Sequence, residues 1–261
     1  MIRTVNFNLP SKWIDLSNSQ LLFVSKLFLS DFAKNQYRFL THALLHFSKC
    51  KIKRSFTHNL KGSEYLLRKK GDKPFRLSAS QIHSVCSTLD FLLKEVKEVK
   101  PLRNIRDARP CHYRMYNTPF IRFLSAENFY TAYNKTSDIA ALNSLVAALY
   151  LKPSDEFDDK LISQRSAYFR RVTIDKKYTV YLWYSGFRSY LSQTFPDIFD
   201  RSSTGSELNI RDHVMNMIRG LTEGDVTKNE MVQKVQTTEA LYELNAKAKY
   251  INETNQKLKK K

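Results

Sequence analysis

The chain has 261 residues, 42% hydrophobic and 13% aromatic, ample for a buried core, which excludes wholesale disorder. It carries 43 Lys and Arg against 25 Asp and Glu, a formal charge of +18, so it repels copies of itself and attracts polyanions or acidic surfaces. Its six glycines never fall in a G-x-G-x-x-G or G-x-x-x-x-G-K spacing, which argues against a nucleotide-hydrolysing or dinucleotide-dependent enzyme.

In chain order, Val5 to Pro10 alternates apolar and polar residues and predicts a short extended arm. Ser17 followed by Gln20 is a capping box opening a helix through Leu21, Val24, Leu27 and Phe28. Asp31 restarts a helical pattern through Phe32, Tyr37, Leu40, Leu44 and Phe47. Residues 49–76 are dense in lysine and arginine, with only Glu64 and Asp72 opposing them. Within that stretch, Tyr65–Lys69 and Pro74–Leu77 flank Lys70-Gly71-Asp72-Lys73, the pattern of a hairpin turning at Gly71. A second capping box, Ser78 with Gln81, opens a helix through Ile82, Val85, Leu89, Leu92 and Val96.

Pro101 to Pro119 reads as an irregular connection rich in Arg and Tyr. Ser125 is the expected start of a helix carrying Phe129, Tyr130 and Tyr133, and another helix follows over Ile139 to Leu149. An acidic loop, Pro153 to Asp159, precedes a segment ending at Phe169-Arg170-Arg171. Tyr178 to Phe195 holds the most apolar pattern; its β-branched and aromatic start leaves a strand open, but a run of more than 15 residues favours helix. Asp200 to Ser206 reads as a polar loop and Leu208 to Leu221 as a helix stopped near Gly220 and Gly224. Thr227 with Glu230 reads as a third capping box, and Thr238 to Lys261 as an exposed helix or frayed tail.

The expected fold class is mainly α, an irregular helical bundle of six to eight helices with one small β-hairpin. Its core is expected around Trp13, Leu21, Leu44, Leu89, Leu145, Leu182 and Trp183. Residues 1–100 form an N-terminal helical region with the basic hairpin and 101–119 the connection. Residues 120–225 form a C-terminal helical region, and 226–261 the exposed helix or tail. Cys50, Cys86 and Cys111 are sparse and odd in number, as reduced thiols of a cytosolic protein would be. The polar N-terminus carries no signal-peptide pattern, and no stretch approaches the roughly 20 apolar residues of a membrane span, so no membrane partner is expected.

Few constellations suggest chemistry. His42, His46 and Cys50 at four-residue spacing would share one helix face, but the outer two would stand ~12 Å apart at ~1.5 Å rise per residue, too far to share one zinc. Cys111-His112 invites a thiol-nucleophile reading, yet adjacent residues seldom address one reacting atom. The acids of the 153–159 loop read as solvated charge. No catalytic residue, metal site or cofactor is therefore expected. The basic stretch is the candidate polyanion or nucleic-acid contact, with Lys51, Lys53, Arg54, Lys69, Lys70, Lys73 and Arg76 as its residues. Phe56, Tyr65 and Phe75 interleave with these cations and could stack on bases or equally form the buried face of the hairpin. Arg103, Arg106 and Arg109 extend the positive charge without any helix-turn-helix, zinc-finger or RNP signature.

Three segments resemble uncharacterised proteins encoded in tailed-phage and prophage genomes. They are Leu9-Pro10-Ser11-Lys12-Trp13 with Asp15-Leu16-Ser17 and Gln20-Leu21, Phe123 to Tyr130 with Tyr133 and Leu149-Tyr150, and Ala240 to Ala248. The resemblance implies a non-enzymatic virion-associated or tail-assembly protein acting through protein–protein contacts, in the host cytoplasm or incorporated in the virion. Its partners would be other phage structural or assembly proteins, with self-association left open. The alternative is a basic nucleic-acid-binding accessory protein.

Overall fold

The computed structural model describes residues 5–58, 62–69, 71–199 and 210–259. The chain divides into two compact units, Met1–Val99 and Lys100–Lys261. It is mainly α, with ten α-helices and a small antiparallel sheet among the described residues.

In the first unit, both predicted capping boxes form. Ser17 Oγ accepts from Gln20 N at 3.3 Å while Gln20 Oε1 accepts from Ser17 N at 2.9 Å, opening α1 (Asn18–Phe28). Ser78 and Gln81 repeat the exchange at the start of α3 (Ala79–Cys86). Between them, α2 (Gln36–Phe47) begins later than the pattern from Asp31 predicts. Asp31–Lys34 is a 3-10 turn capped by Ser30, and Asn35 Oδ1 then accepts from Arg38 N at 3.0 Å to start the true helix. After Cys86 the predicted long helix tightens into a 3-10 segment, Ser87–Leu93. The Ser87 and Thr88 hydroxyls donate to the carbonyls of Ser84 and Val85, the competition that weakens α-helical bonding. Trp13 is buried, stacked on Phe28 and edge-on to Phe91.

The hairpin is present and is part of a larger sheet. β2 (Gly62–Lys69) and β3 (Phe75–Ser78) pair antiparallel, and β1 (Cys50–His58) adds a third strand on the other side of β2. This third strand was not read from the sequence, because Lys51, Lys53 and Arg54 hide the alternation that marks a half-buried strand.

In the second unit, residues 100–119 contribute Leu102, Ile105, Ala108 and Met115 to the core. β4 (Arg109–Pro110) pairs with β5 (Tyr150–Leu151). α4 (Phe120–Thr136) starts five residues before the expected Ser125, immediately after Pro119. Its first amide, on Phe120, donates to the carbonyl of Val235 at 2.8 Å, a cap supplied from far along the chain. α5 (Ile139–Leu149), capped by Asp138, packs on α4 and on α6 (Ile162–Phe169). The ambiguous apolar run is helical, as α7 (Ile174–Thr194), with Trp183, Tyr184 and Leu182 buried.

α8 (Ile210–Thr222), α9 (Asn229–Lys234) and α10 (Thr237–Lys259) complete the described chain. The polar loop expected over 200–206 lies outside the described residues. The third capping box does not form. Asp225 Oδ1 instead accepts from both the amide and the hydroxyl of Thr227, capping a 3-10 turn. The C-terminal segment is one helix rather than a frayed tail. Its first turns bury Ala240, Leu241 and Leu244, while Tyr250, Ile251 and Leu258 stay 72%, 56% and 66% exposed. All seven residues expected in the core are buried. Among the described residues, no helix is long and apolar enough to cross a membrane.

Candidate nucleic-acid interface

The sheet of the first unit sorts the basic stretch onto two faces, because opposed residues in an antiparallel pair share a face and neighbours alternate. One face holds Cys50, Tyr65, Leu67, Phe75 and Leu77, and α2 and α3 pack against the sheet. Leu67 and Cys50 are buried there, and Phe75 meets Phe7 edge-on at 6.2 Å. Tyr65 and Phe75 therefore belong to the packed face.

The other face is exposed and cationic. Lys51 lies opposite Arg68, and Arg54, Leu66 and Arg76 form a row across all three strands. At ~4.8 Å between strands, that row sets Arg54 and Arg76 about 10 Å apart. The register slips by one residue between Ile52 and Arg54, so Lys53 is the extra, exposed residue at that irregularity and Arg54 opposes Leu66. Without the bulge Arg54 would face Tyr65 on the packed side. The one-residue shift moves it outward.

Phe56 is the aromatic on this outer face. The Arg76 guanidinium sits 4.9 Å above its ring and 3.9 Å from the Glu64 carboxylate. Lys51, Lys53, Arg54 and Arg68 make no ion pair among the described residues. The structure thus brings together Lys51, Lys53, Arg54 and Arg76 of the predicted set and adds Arg68, which the alternation Glu64-Leu66-Arg68 in β2 would have selected. Lys69 is exposed opposite Cys50, on the parity of the packed face, and Lys73 is exposed in the turn after Gly71. Lys70 lies outside the described residues.

Such a surface can pair with several phosphates at once, while Phe56 and Leu66 offer apolar contact to base or sugar.

The other sequence candidates fall elsewhere. α2 ends at Phe47, so Cys50 is not on the helix of His42 and His46. His46 stacks on Phe23 at 3.8 Å, and burial lowers its pKa; His42 packs on Phe32. Burial pushes the Cys111 thiol up, only partly offset by the Arg122 guanidinium, which disfavours a thiolate nucleophile. His112 stacks on Tyr116, and its Nδ1 accepts from the Arg114 amide at 3.3 Å. In the second unit, Arg106 lies over Tyr168, whose hydroxyl donates to Asp107; that hydrogen bond holds Asp107 below the usual carboxylate range.

No protein-family model, curated protein or solved structure matches this chain.

Proposed function

We propose that the protein is a non-enzymatic accessory protein that binds single-stranded or otherwise accessible nucleic acid through the outer face of its sheet. The observation that carries this reading is the cross-strand pair of Lys51 and Arg68, flanked by Lys53, Arg54 and Arg76. Like charges directly opposed on neighbouring strands destabilise a sheet. A polyanion laid across the face reverses that cost, and Phe56 supplies a stacking surface within it. Affinity of this kind is sequence-tolerant and of the non-specific order, Kd ~10⁻⁴–10⁻⁶ M at physiological salt.

The test is a salt titration of binding to a single-stranded oligonucleotide. Neutralisation of about five phosphates gives a log–log slope of roughly −3.5. The quadruple reversal Lys51→Glu, Lys53→Glu, Arg54→Glu and Arg68→Glu removes most of the binding and leaves the helical circular dichroism intact. A slope near zero, or binding that survives the reversal, overturns the reading.

A second reading, a phage virion-associated or tail-assembly protein, is favoured by the exposed end of α10. Ile251 and Leu258, seven residues apart, share a face that no described residue covers. If that face mediates assembly, Ile251→Glu with Leu258→Glu abolishes self-association or partner capture by nuclease-treated protein, without changing oligonucleotide affinity.

A further inference from the structure

Glu64 is the single acidic residue of strands β1, β2 and β3, and it stands on their outer, cationic face, on the parity of Leu66 and Arg68. For pairing with phosphate alone it is a misplaced charge, because a carboxylate repels the polyanion that its neighbours attract. Its partnership with Arg76 does not account for it. The two groups stand 3.9 Å apart, beyond hydrogen-bond reach, with side chains 34% and 64% exposed, and so open a pair contributes little to stability.

Strand register decides what surrounds this carboxylate. Glu64 lies directly opposite Phe56 on β1, and Arg76 of β3 lies opposite its same-face neighbour Leu66. The Arg76 guanidinium in turn sits 4.9 Å above the Phe56 ring. An aromatic ring, a planar donor and a carboxylate acceptor therefore converge on one spot, within the reach that opposed and diagonal side chains share across a sheet. Glu64 and Arg76 make no hydrogen bond to each other, so acceptor oxygens and donor N–H groups are left side by side.

We propose that Glu64 and Arg76 give this face a base preference, selecting bases that present an amine beside a bare ring nitrogen over thymine and uracil. Cytosine has that edge: its exocyclic amine donates to the Glu64 carboxylate, and its ring nitrogen accepts from Arg76. Adenine carries the same pair of groups. Thymine and uracil carry the reverse, a carbonyl where the amine would be and an N–H at the ring nitrogen. Their carbonyl oxygen meets a carboxylate and is repelled. Lys51, Arg54 and Arg68 supply the phosphate contacts, which are the same for every base. This inference rests on the nucleic-acid reading of the sheet and adds to it a preference of about fivefold, on top of an otherwise sequence-tolerant affinity.

The experiment compares binding of the full chain to oligo-deoxycytidine, oligo-deoxythymidine and oligo-deoxyadenosine of equal length at neutral pH, each across a salt series. Cytosine and thymine have the same ring size and phosphate charge, so their ratio isolates the base edge. Oligo-deoxycytidine binds about fivefold more tightly than oligo-deoxythymidine, with the same salt slope. Glu64→Gln brings that ratio to about one by strengthening thymine binding, because the amide can donate to a carbonyl as well as accept from an amine. Arg76→Lys keeps the salt slope and also lowers the ratio, since an ammonium lacks the planar fork. Circular dichroism of both variants matches the wild type. Equal affinities for cytosine and thymine with a steep salt slope overturn this inference and leave the nucleic-acid reading standing. A Glu64→Gln effect that is the same on both oligonucleotides overturns it too, as does weaker binding of oligo-deoxyadenosine than of oligo-deoxythymidine. Salt-independent binding, or none, overturns both the inference and the reading beneath it.

Discussion

Lys51 and Arg68 lie directly opposite each other on β1 and β2, two exposed cations with no carboxylate beside them among the described residues. Each would gain from an acid at the other's position. Lys51→Glu should therefore raise stability by roughly 0.2–1 kcal/mol, turning a repulsive cross-strand pair into an attractive one. The same change should weaken oligonucleotide binding. Denaturant midpoints and binding isotherms measured on one preparation would read both effects, and a variant that loses stability as well as binding would contradict the argument.

Gly71 turns the chain between β2 and β3 at a φ of +90°, where an added Cβ would meet no heavy atom within 4 Å. The cost of a side chain there is conformational rather than steric. Gly71→Ala should destabilise the protein by about 1 kcal/mol, and Gly71→Asn by less, because asparagine tolerates positive φ. Equal midpoints for wild type and alanine variant would argue against that turn.

Glu127 of α4 is 1% exposed, accepts from the Tyr184 hydroxyl at 2.9 Å and pairs with Arg188. Arg188→Ala strands a buried carboxylate. Because the arginine side chain keeps 35% of its surface in water, the expected loss is about 2–3 kcal/mol, at or just below the usual range for a broken buried pair. Glu127→Gln in the Arg188→Ala background should recover part of that loss, since the neutral amide needs no counter-charge. Chemical denaturation of the two variants checks the order.

Alkaline pH should unfold the tyrosine cluster between α4 and α7. Burial raises the Tyr178 pKa to about 12, with Tyr133 and Tyr130 acting in the same direction, and raises Tyr181 further. A raised folded-state pKa means that the folded protein holds its proton while the unfolded chain releases it. The contribution is complete below pH ~10 and is lost as pH rises toward 12. Phenolate absorbance should rise in step with loss of helical signal over that window. Titration of all tyrosines near pH 10 without unfolding would refute it.

Local chemistry made much of this fold legible. Ser17 with Gln20 and Ser78 with Gln81 marked true helix starts, since a capping box is satisfied within four residues. The hairpin at Gly71 was legible for the same reason. Thr227 with Glu230 had the same spacing and failed, because Asp225 took the Thr227 amide and hydroxyl first. The basic stretch was visible as composition, but its division into faces was not. The bulge at Lys53 brings Arg54 beside Leu66 and Arg76, while the pairing of β2 with β3 sets Tyr65 and Phe75 on the packed face.

The sequence by itself determined the helical class, the core residues from Trp13 to Trp183 and the excess of positive charge, all of which follow from side-chain type and short-range periodicity. Tertiary structure decided what no local pattern carries. α4 begins at Phe120 because the carbonyl of Val235 is there to receive its first amide, and Thr237 donates both amide and hydroxyl to the carbonyl of Thr118. Asn143 is buried on α5 because α4 and α6 both pack against that helix. In each case the partner lies tens of residues away, and backbone hydrogen bonds and burial are settled only once the chain has folded back to meet it.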